Sequence, residues 1–236
     1  FKGRAPSRPA FEGSYSSGAR PKATRSHFML EKLPPVLGHA LRNQRAGLEK
    51  IAFHQIDLRN GTAQIEVRSL AFADHAPIPE QYTADGEAIS PPLNWSGVPE
   101  SATSLLLIVE DADAPTPSPL VHAIVVDLDA TRNELPEGAL KSPRHDGSGL
   151  ETGKNSFLQQ AWLPPDPPPG HGPHRYAFQV FALADGAAFS DAPGRDEVLS
   201  ALRERAVASG CLIGTYERDT TVKVDSAEAI GVVAAT

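Results

Sequence analysis

Proline is the residue that most limits this fold: 22 of them are spread through 236 residues, and the apolar runs between them are short. A proline inside a helix removes a hydrogen bond and clashes with the preceding turn, so long packed helices are excluded. What fits between such breaks is the strand, and a loop-rich, mainly β fold follows. Ser104–Val109, Val121–Leu128, Tyr176–Leu183 and Cys211–Tyr216 are apolar runs bounded by turn formers, as expected of central strands covered on both faces. Ala63–Phe72 alternates instead, with Ile65 and Val67 on one side and Glu66 and Arg68 on the other. That is the period of a half-buried strand.

Two segments have helical spacing. Val36, Leu37, Ala40, Leu41 and Leu48 suit a short amphipathic helix within Pro34–Leu48. Val198, Leu199, Leu202 and Ala206 suit another over Asp196–Ala208, with Gly194 and Gly210 marking its ends. The expected organisation is a disordered basic tail or upstream extension over residues 1–28, and a short helix and linker over 29–50. A β-rich domain over 51–225 and a tail over 226–236 follow.

The net charge of −7 is unevenly distributed. Residues 1–50 hold 10 Lys/Arg against 3 Asp/Glu, leaving 12 against 26 for the rest. An acidic body argues against nucleic acid as the main partner, and the basic arm is read as a solvated tail. The single cysteine, Cys211, excludes an internal disulfide framework and fits a reducing, cytoplasmic setting. No apolar run approaches the roughly 20 residues of a membrane span.

Chemistry-bearing residues concentrate in three places. Asp111-Ala-Asp-Ala-Pro115 leaves the end of an apolar strand, and Pro115 stiffens the turn by fixing φ. Asp111 is a candidate pocket carboxylate; an Asx-type turn explains the same pattern structurally. His122 interrupts the next apolar run and returns beside Asp111 if the two strands pair, where a carboxylate would orient its ring. Residues 164–173 carry six prolines and two glycines, a stiff loop delivering His174-Arg175-Tyr176 to a further strand. Alternation puts His174 and Tyr176 on one face and Arg175, read as a structural ion-pair partner, on the other. These residues are expected to share one solvent-reachable hollow. No Gly-x-Ser-x-Gly elbow, Walker loop, dinucleotide fingerprint or His-Glu-x-x-His pair occurs, and no cofactor or metal is called for.

Five motifs in order resemble the phosphatidylethanolamine-binding protein family, in particular its bacterial, Raf-kinase-inhibitor-like branch. They are Tyr82–Trp95, Asp111–Pro115, His122, Pro167–Tyr176 and Gly214–Arg218. The resemblance implies a large antiparallel β-sandwich with a few peripheral helices. It implies a small pocket in which Asp111, His122, His174 and Tyr176 bind a phosphate-like anion or phospholipid head group. Asp113, Pro115, Trp162, Pro164, Asp166, Gly170 and Arg175 would support its walls. Pro164 stands where the family usually has glycine, and Asp166 adds negative charge nearby. The resemblance further implies a non-catalytic binding protein, with a protein partner and a homodimer as expectations. Two other readings stand beside it: an enzyme using the Asp–His pocket for general acid–base hydrolysis or cyclisation, and a kinase or signalling inhibitor.

Overall fold

The computed structural model describes residues 35–58, 64–142 and 146–218. The tails read over 1–28 and 226–236 lie outside them, as does the start of the strand read from Ala63. Among the described residues, seven strands form two antiparallel sheets. Strands β3 (Ser104–Asp111), β4 (Leu120–Asp129), β6 (His174–Leu183) and β7 (Ala206–Tyr216) make the larger sheet in the order β4-β3-β6-β7. The smaller sheet orders β1 (Glu66–Arg68), β2 (Leu93–Ser96) and β5 (Glu134–Leu135).

The largely apolar runs have the reason the sequence suggests. One face of the larger sheet, with Leu105, Leu107, Val109, Phe178 and Val180, packs on Val67, Leu93, Trp95 and Leu135 of the smaller sheet. The opposite face, with Leu106, Ile108, Phe181 and Leu183, is covered by Val198, Leu199 and Leu202 of helix α3 (Arg195–Arg205). A strand buried on both sides has no polar side to alternate with. β1 is half-buried as read: Ile65 and Val67 are inside, Glu66 and Arg68 exposed.

Three boundaries differ from the sequence reading. Helix α3 stops at Arg205, because Ala206 and Ala208 pair with Leu183 and Ala182 of β6; sheet pairing overrides local helical spacing. Gly210 therefore lies within β7 rather than at a helix end, and a Cβ there would sit 1.9 Å from the Ile65 carbonyl oxygen. Gly210→Ala is expected to destabilise the chain by about 1–3 kcal/mol, read as a lowered thermal midpoint; an unchanged midpoint would refute that backbone approach.

The N-terminal helix α1 (Pro35–Leu41) ends well before Leu48, and Val36 and Leu37 are 77% and 42% exposed. Its closest approach to the body is made by its smallest residue. Gly38 is buried, and a Cβ on it would meet the Pro169 carbonyl oxygen at 2.1 Å. After α1 the chain is tied to the turn beyond β3, through Ala46 N to Ala114 O (3.0 Å) and Gly47 N to Ala112 O (2.7 Å). A short helix α2 (Ala52–Gln55) follows.

Candidate functional site

The pairing of β3 with β4 and β6 brings the three chemistry-bearing stretches to one end of the larger sheet. Asp111, the last residue of β3, is opposite Tyr176 on β6 and Leu120 on β4. His122 reaches the same place by an irregularity. Val109 pairs with Ala123 and Glu110 with Val121, so His122 is an extra residue in β4. Such a bulge breaks alternation and re-aims a side chain. Val121 stays on the helix-covered face while Ala123 packs on the other. The His122 ring joins the Ala123 side, 5.1 Å from Tyr176 and 6.1 Å from Trp162 between ring centroids.

Hydrogen bonds fix each ring. His122 Nδ1 is 2.6 Å from the Leu163 carbonyl oxygen; a carbonyl only accepts, so Nδ1 carries the proton. Burial, opposed by the nearby Asp111 charge, holds the His122 pKa below its ordinary 6.5. The neutral ring then leaves Nε2 as an acceptor, and this atom is buried without a partner. Tyr176 Oη is likewise buried and unpartnered. Its pKa is pushed well above 10.0 by burial and then by Asp111, so the phenol keeps its proton and remains a donor.

His174 is differently occupied. Its Nδ1 is 2.7 Å from Asp111 Oδ2, and its Nε2 is 2.7 Å from Nδ1 of His171. His171 Nε2 in turn lies 2.9 Å from Leu41 O and 3.2 Å from Gln44 O. Three hydrogen bonds in series, ending on carbonyl oxygens that cannot donate, require three protons. An ionised carboxylate and two neutral imidazoles supply two, so the chain Asp111–His174–His171 holds one more. Burial, then the neighbouring His174, keeps the His171 pKa below 6.5.

The turn after β3 is an Asx-type turn as well as a site element: Asp111 Oδ1 accepts from Asp113 N at 2.8 Å. Asp113 is fully buried and held by two arginines. It accepts from Arg175 N, Nε and Nη2 at 2.9, 2.7 and 2.7 Å, and from Arg45 Nη1 at 2.9 Å. Burial alone would raise its pKa, but these guanidinium groups outweigh it and hold the carboxyl at about 2. Arg45 also donates to Pro173 O (2.8 Å) and His171 O (3.2 Å).

Among the remaining wall residues, Trp162 is buried against His122 and Phe178. Pro164 is buried, and Gly170 has φ 79°. The charge of Asp166 is matched by Arg218, Nη1 to Oδ1 2.6 Å. Pro115 faces away, into a separate cavity beside β4.

Asp111, His122, His174 and Tyr176 thus converge. Two expectations need correction. His174 has both ring nitrogens engaged, so it orients Asp111 rather than offering a donor to a ligand. The expected open hollow is not found among these four side chains, which are 0–5% exposed. The sequence reading also missed His171 and Arg45. His171 stands in the quoted Gly170–Tyr176 motif, and its spacing of three from His174 was the available signal; Arg45 carried none.

A family model for the phosphatidylethanolamine-binding protein matches residues 68–217. The chain belongs to the phosphatidylethanolamine-binding protein family. A UPF0098 protein of Aquifex aeolicus is 38% identical over 160 residues, covering 67% of this chain and 92% of that protein. Two of the crystal structures that resemble this chain show how far the likeness extends. One is a phosphatidylethanolamine-binding protein homologue, CT736, from Chlamydia trachomatis, with TM-score 0.59 and 34% identity over 67% of this chain and all of that one. The other is YbcL of E. coli, described as a new member of the mammalian PEBP family, with TM-score 0.60 and 30% identity over 66% and 99%. The family model begins after Arg45, so α1 and Arg45 lie outside the residues that it matches. Among the described residues no helix is long and apolar enough to cross a membrane.

Proposed function

We propose that this protein is a non-catalytic binder of a phosphate-like anion, free or as a phospholipid head group, held between His122 and Tyr176. One observation supports this above others: His122 Nε2 and Tyr176 Oη are buried, adjacent and unpartnered. An unsatisfied buried polar atom costs about 1–3 kcal/mol, and two together call for a polar guest. A phosphate accepts from the Tyr176 hydroxyl. Its second contact, to His122, needs a proton, either on the ring or on the phosphate itself. The name of the family points to the same head-group chemistry.

The enzyme reading finds less support. The Cys211 thiol is pushed up to about 12 by burial, then by Asp74 and Glu110, so it supplies no thiolate. The acid–base pair Asp111–His174 is closed on itself through His171. A regulated protein partner and a homodimer belong to this proposal as extensions of the family reading.

Calorimetric titration with inorganic phosphate and phosphoethanolamine tests it. Saturable binding is expected, weakened about 10-fold or more by His122→Ala and by Tyr176→Phe, since a bond to a charged group is worth about 1.5–3 kcal/mol. Affinity is expected to strengthen as pH falls below 6.5. In the free protein the buried His122 ring refuses a proton that the unfolded chain accepts, so stability falls with pH in that range. A bound anion favours the imidazolium and reverses that loss. No saturable binding, or binding indifferent to both variants, would end the proposal.

A further inference from the structure

A second cavity, of about 820 Å3, lies beside the edge strand β4, and none of the four convergent site residues lines it. It is framed by the loop 115–119, the first residues of β4, the turn 154–158 and the start of α3. Its volume is that of a ligand pocket.

The walls dictate what kind of guest fits. Pro115, Pro117, Pro119 and Pro168 line it, and proline has no N–H to offer. Three of the polar lining side chains are already bonded to backbone groups. Thr116 Oγ1 donates to Ser118 O at 2.7 Å, Ser156 Oγ accepts from Val121 N at 2.8 Å, and the Asn155 amide bonds Phe157 N, Gln159 N and Ala161 O. A guest polar throughout would lose its hydrogen bonds to water and regain few of them from such walls. At the mouth Phe157 and Leu158 are 45% and 78% exposed, two large apolar side chains on one turn.

Charge sets the second requirement. The charged residues lining the cavity are Lys154 and Arg195, with no carboxylate among the lining side chains, although the chain carries net charge −7. Arg195 is already opposed by Glu110, Nε to Oε1 2.6 Å. Glu197 of α3 feels the Lys154 charge but is held by Ser190 N and Oγ, both at 2.8 Å. Lys154 has no ion pair or side-chain hydrogen bond among the described residues.

We propose that this cavity binds an amphiphilic carboxylate, with its apolar body along the proline wall and its anionic group at Lys154. The inference does not depend on the phosphate site. Calorimetric titration of the full chain with dodecanoate, and with dodecyltrimethylammonium as the same tail bearing the opposite charge, tests it. Dodecanoate is expected to saturate at one per chain and to bind about tenfold or more tighter than the cation, the scale of one charge-assisted contact. Lys154→Glu should reverse that preference, and Phe157→Asp should weaken both ligands; both side chains are exposed, so the fold is kept. His122→Ala and saturating inorganic phosphate should leave dodecanoate binding unchanged. Equal affinity for the two amphiphiles, indifference to Lys154→Glu, displacement by phosphate, or no saturation would each overturn it. So would a dimer dissolved by Phe157→Asp that takes up no dodecanoate, since a second copy would then be the occupant.

Discussion

Asp113→Ala is expected to cost about 3–5 kcal/mol of folding stability, the range for removing one partner of a buried ion pair. The loss is large because one carboxylate serves three elements. It accepts from the main chain and guanidinium of Arg175 at the start of β6, and from Arg45 on the segment that follows α1. Without it, the buried end of Arg175, its main-chain N–H included, loses its acceptor, and Arg45 is left with the carbonyls of Pro173 and His171. Equilibrium urea unfolding measures the cost, and a change under about 1 kcal/mol would show that the arginines re-pair with solvent at no penalty. The acid limb provides an independent check. A carboxyl held at about 2 in the fold and near 3.8 when unfolded contributes about 2 kcal/mol. That contribution is complete above pH 3.8 and is lost as pH falls through about 2. The acid unfolding curve of Asp113→Asn should lack that share.

Glu110→Ala is expected to be as damaging, again about 3–5 kcal/mol, but through the opposite face of the sheet. Glu110 is fully buried between Asp111 and Val109. Its Oε1 accepts from Arg195 Nε at 2.6 Å, and its Oε2 from Ala52 N at 2.7 Å and Gln179 Nε2 at 2.9 Å. Gln179 Oε1 accepts the next amide, Phe53 N, at 2.7 Å. The pair Glu110–Gln179 therefore satisfies the first amides of α2, which no side-chain cap of its own serves. Because Glu110 and Asp111 point to opposite faces, the variant should lower the thermal midpoint while leaving the phosphate affinity per folded molecule unchanged. A matching loss of affinity would show that the two faces are coupled.

Much of the β framework was legible because burial on both faces leaves a direct trace. Ser104–Val109, Val121–Leu128 and Tyr176–Leu183 read as predominantly apolar runs for that reason, and the observed strands extend each by two residues. The end of α3 was not legible. Ala206 and Ala208 fit the helical stripe, and only their pairing with β6 claims them for the sheet. The apolar residues Val36 and Leu37 suggested a buried helical face, yet α1 is held through Gly38 and the carbonyls of Leu41 and Gln44. Backbone contacts of that kind leave no hydrophobic signature.

The site was half legible. Asp111, His122, His174 and Tyr176 stood out as polar residues at the edges of apolar runs, and the family motifs assembled them. Their division of labour did not. Whether a histidine faces a ligand or completes an internal chain depends on what its two nitrogens touch, and those partners lie far off in sequence: Leu163 for His122, Asp111 and His171 for His174, Leu41 and Gln44 for His171.

Composition and order of residues by themselves determined the β class, the family and the stretches where chemistry gathers, because side-chain period and proline spacing act locally along the chain. Tertiary structure alone decided which way His122 turns, which proton each imidazole holds, and that Arg45 anchors Asp113. An extra residue in a strand, a shared proton and a distant guanidinium are consequences of which segments meet, and no local pattern encodes that meeting.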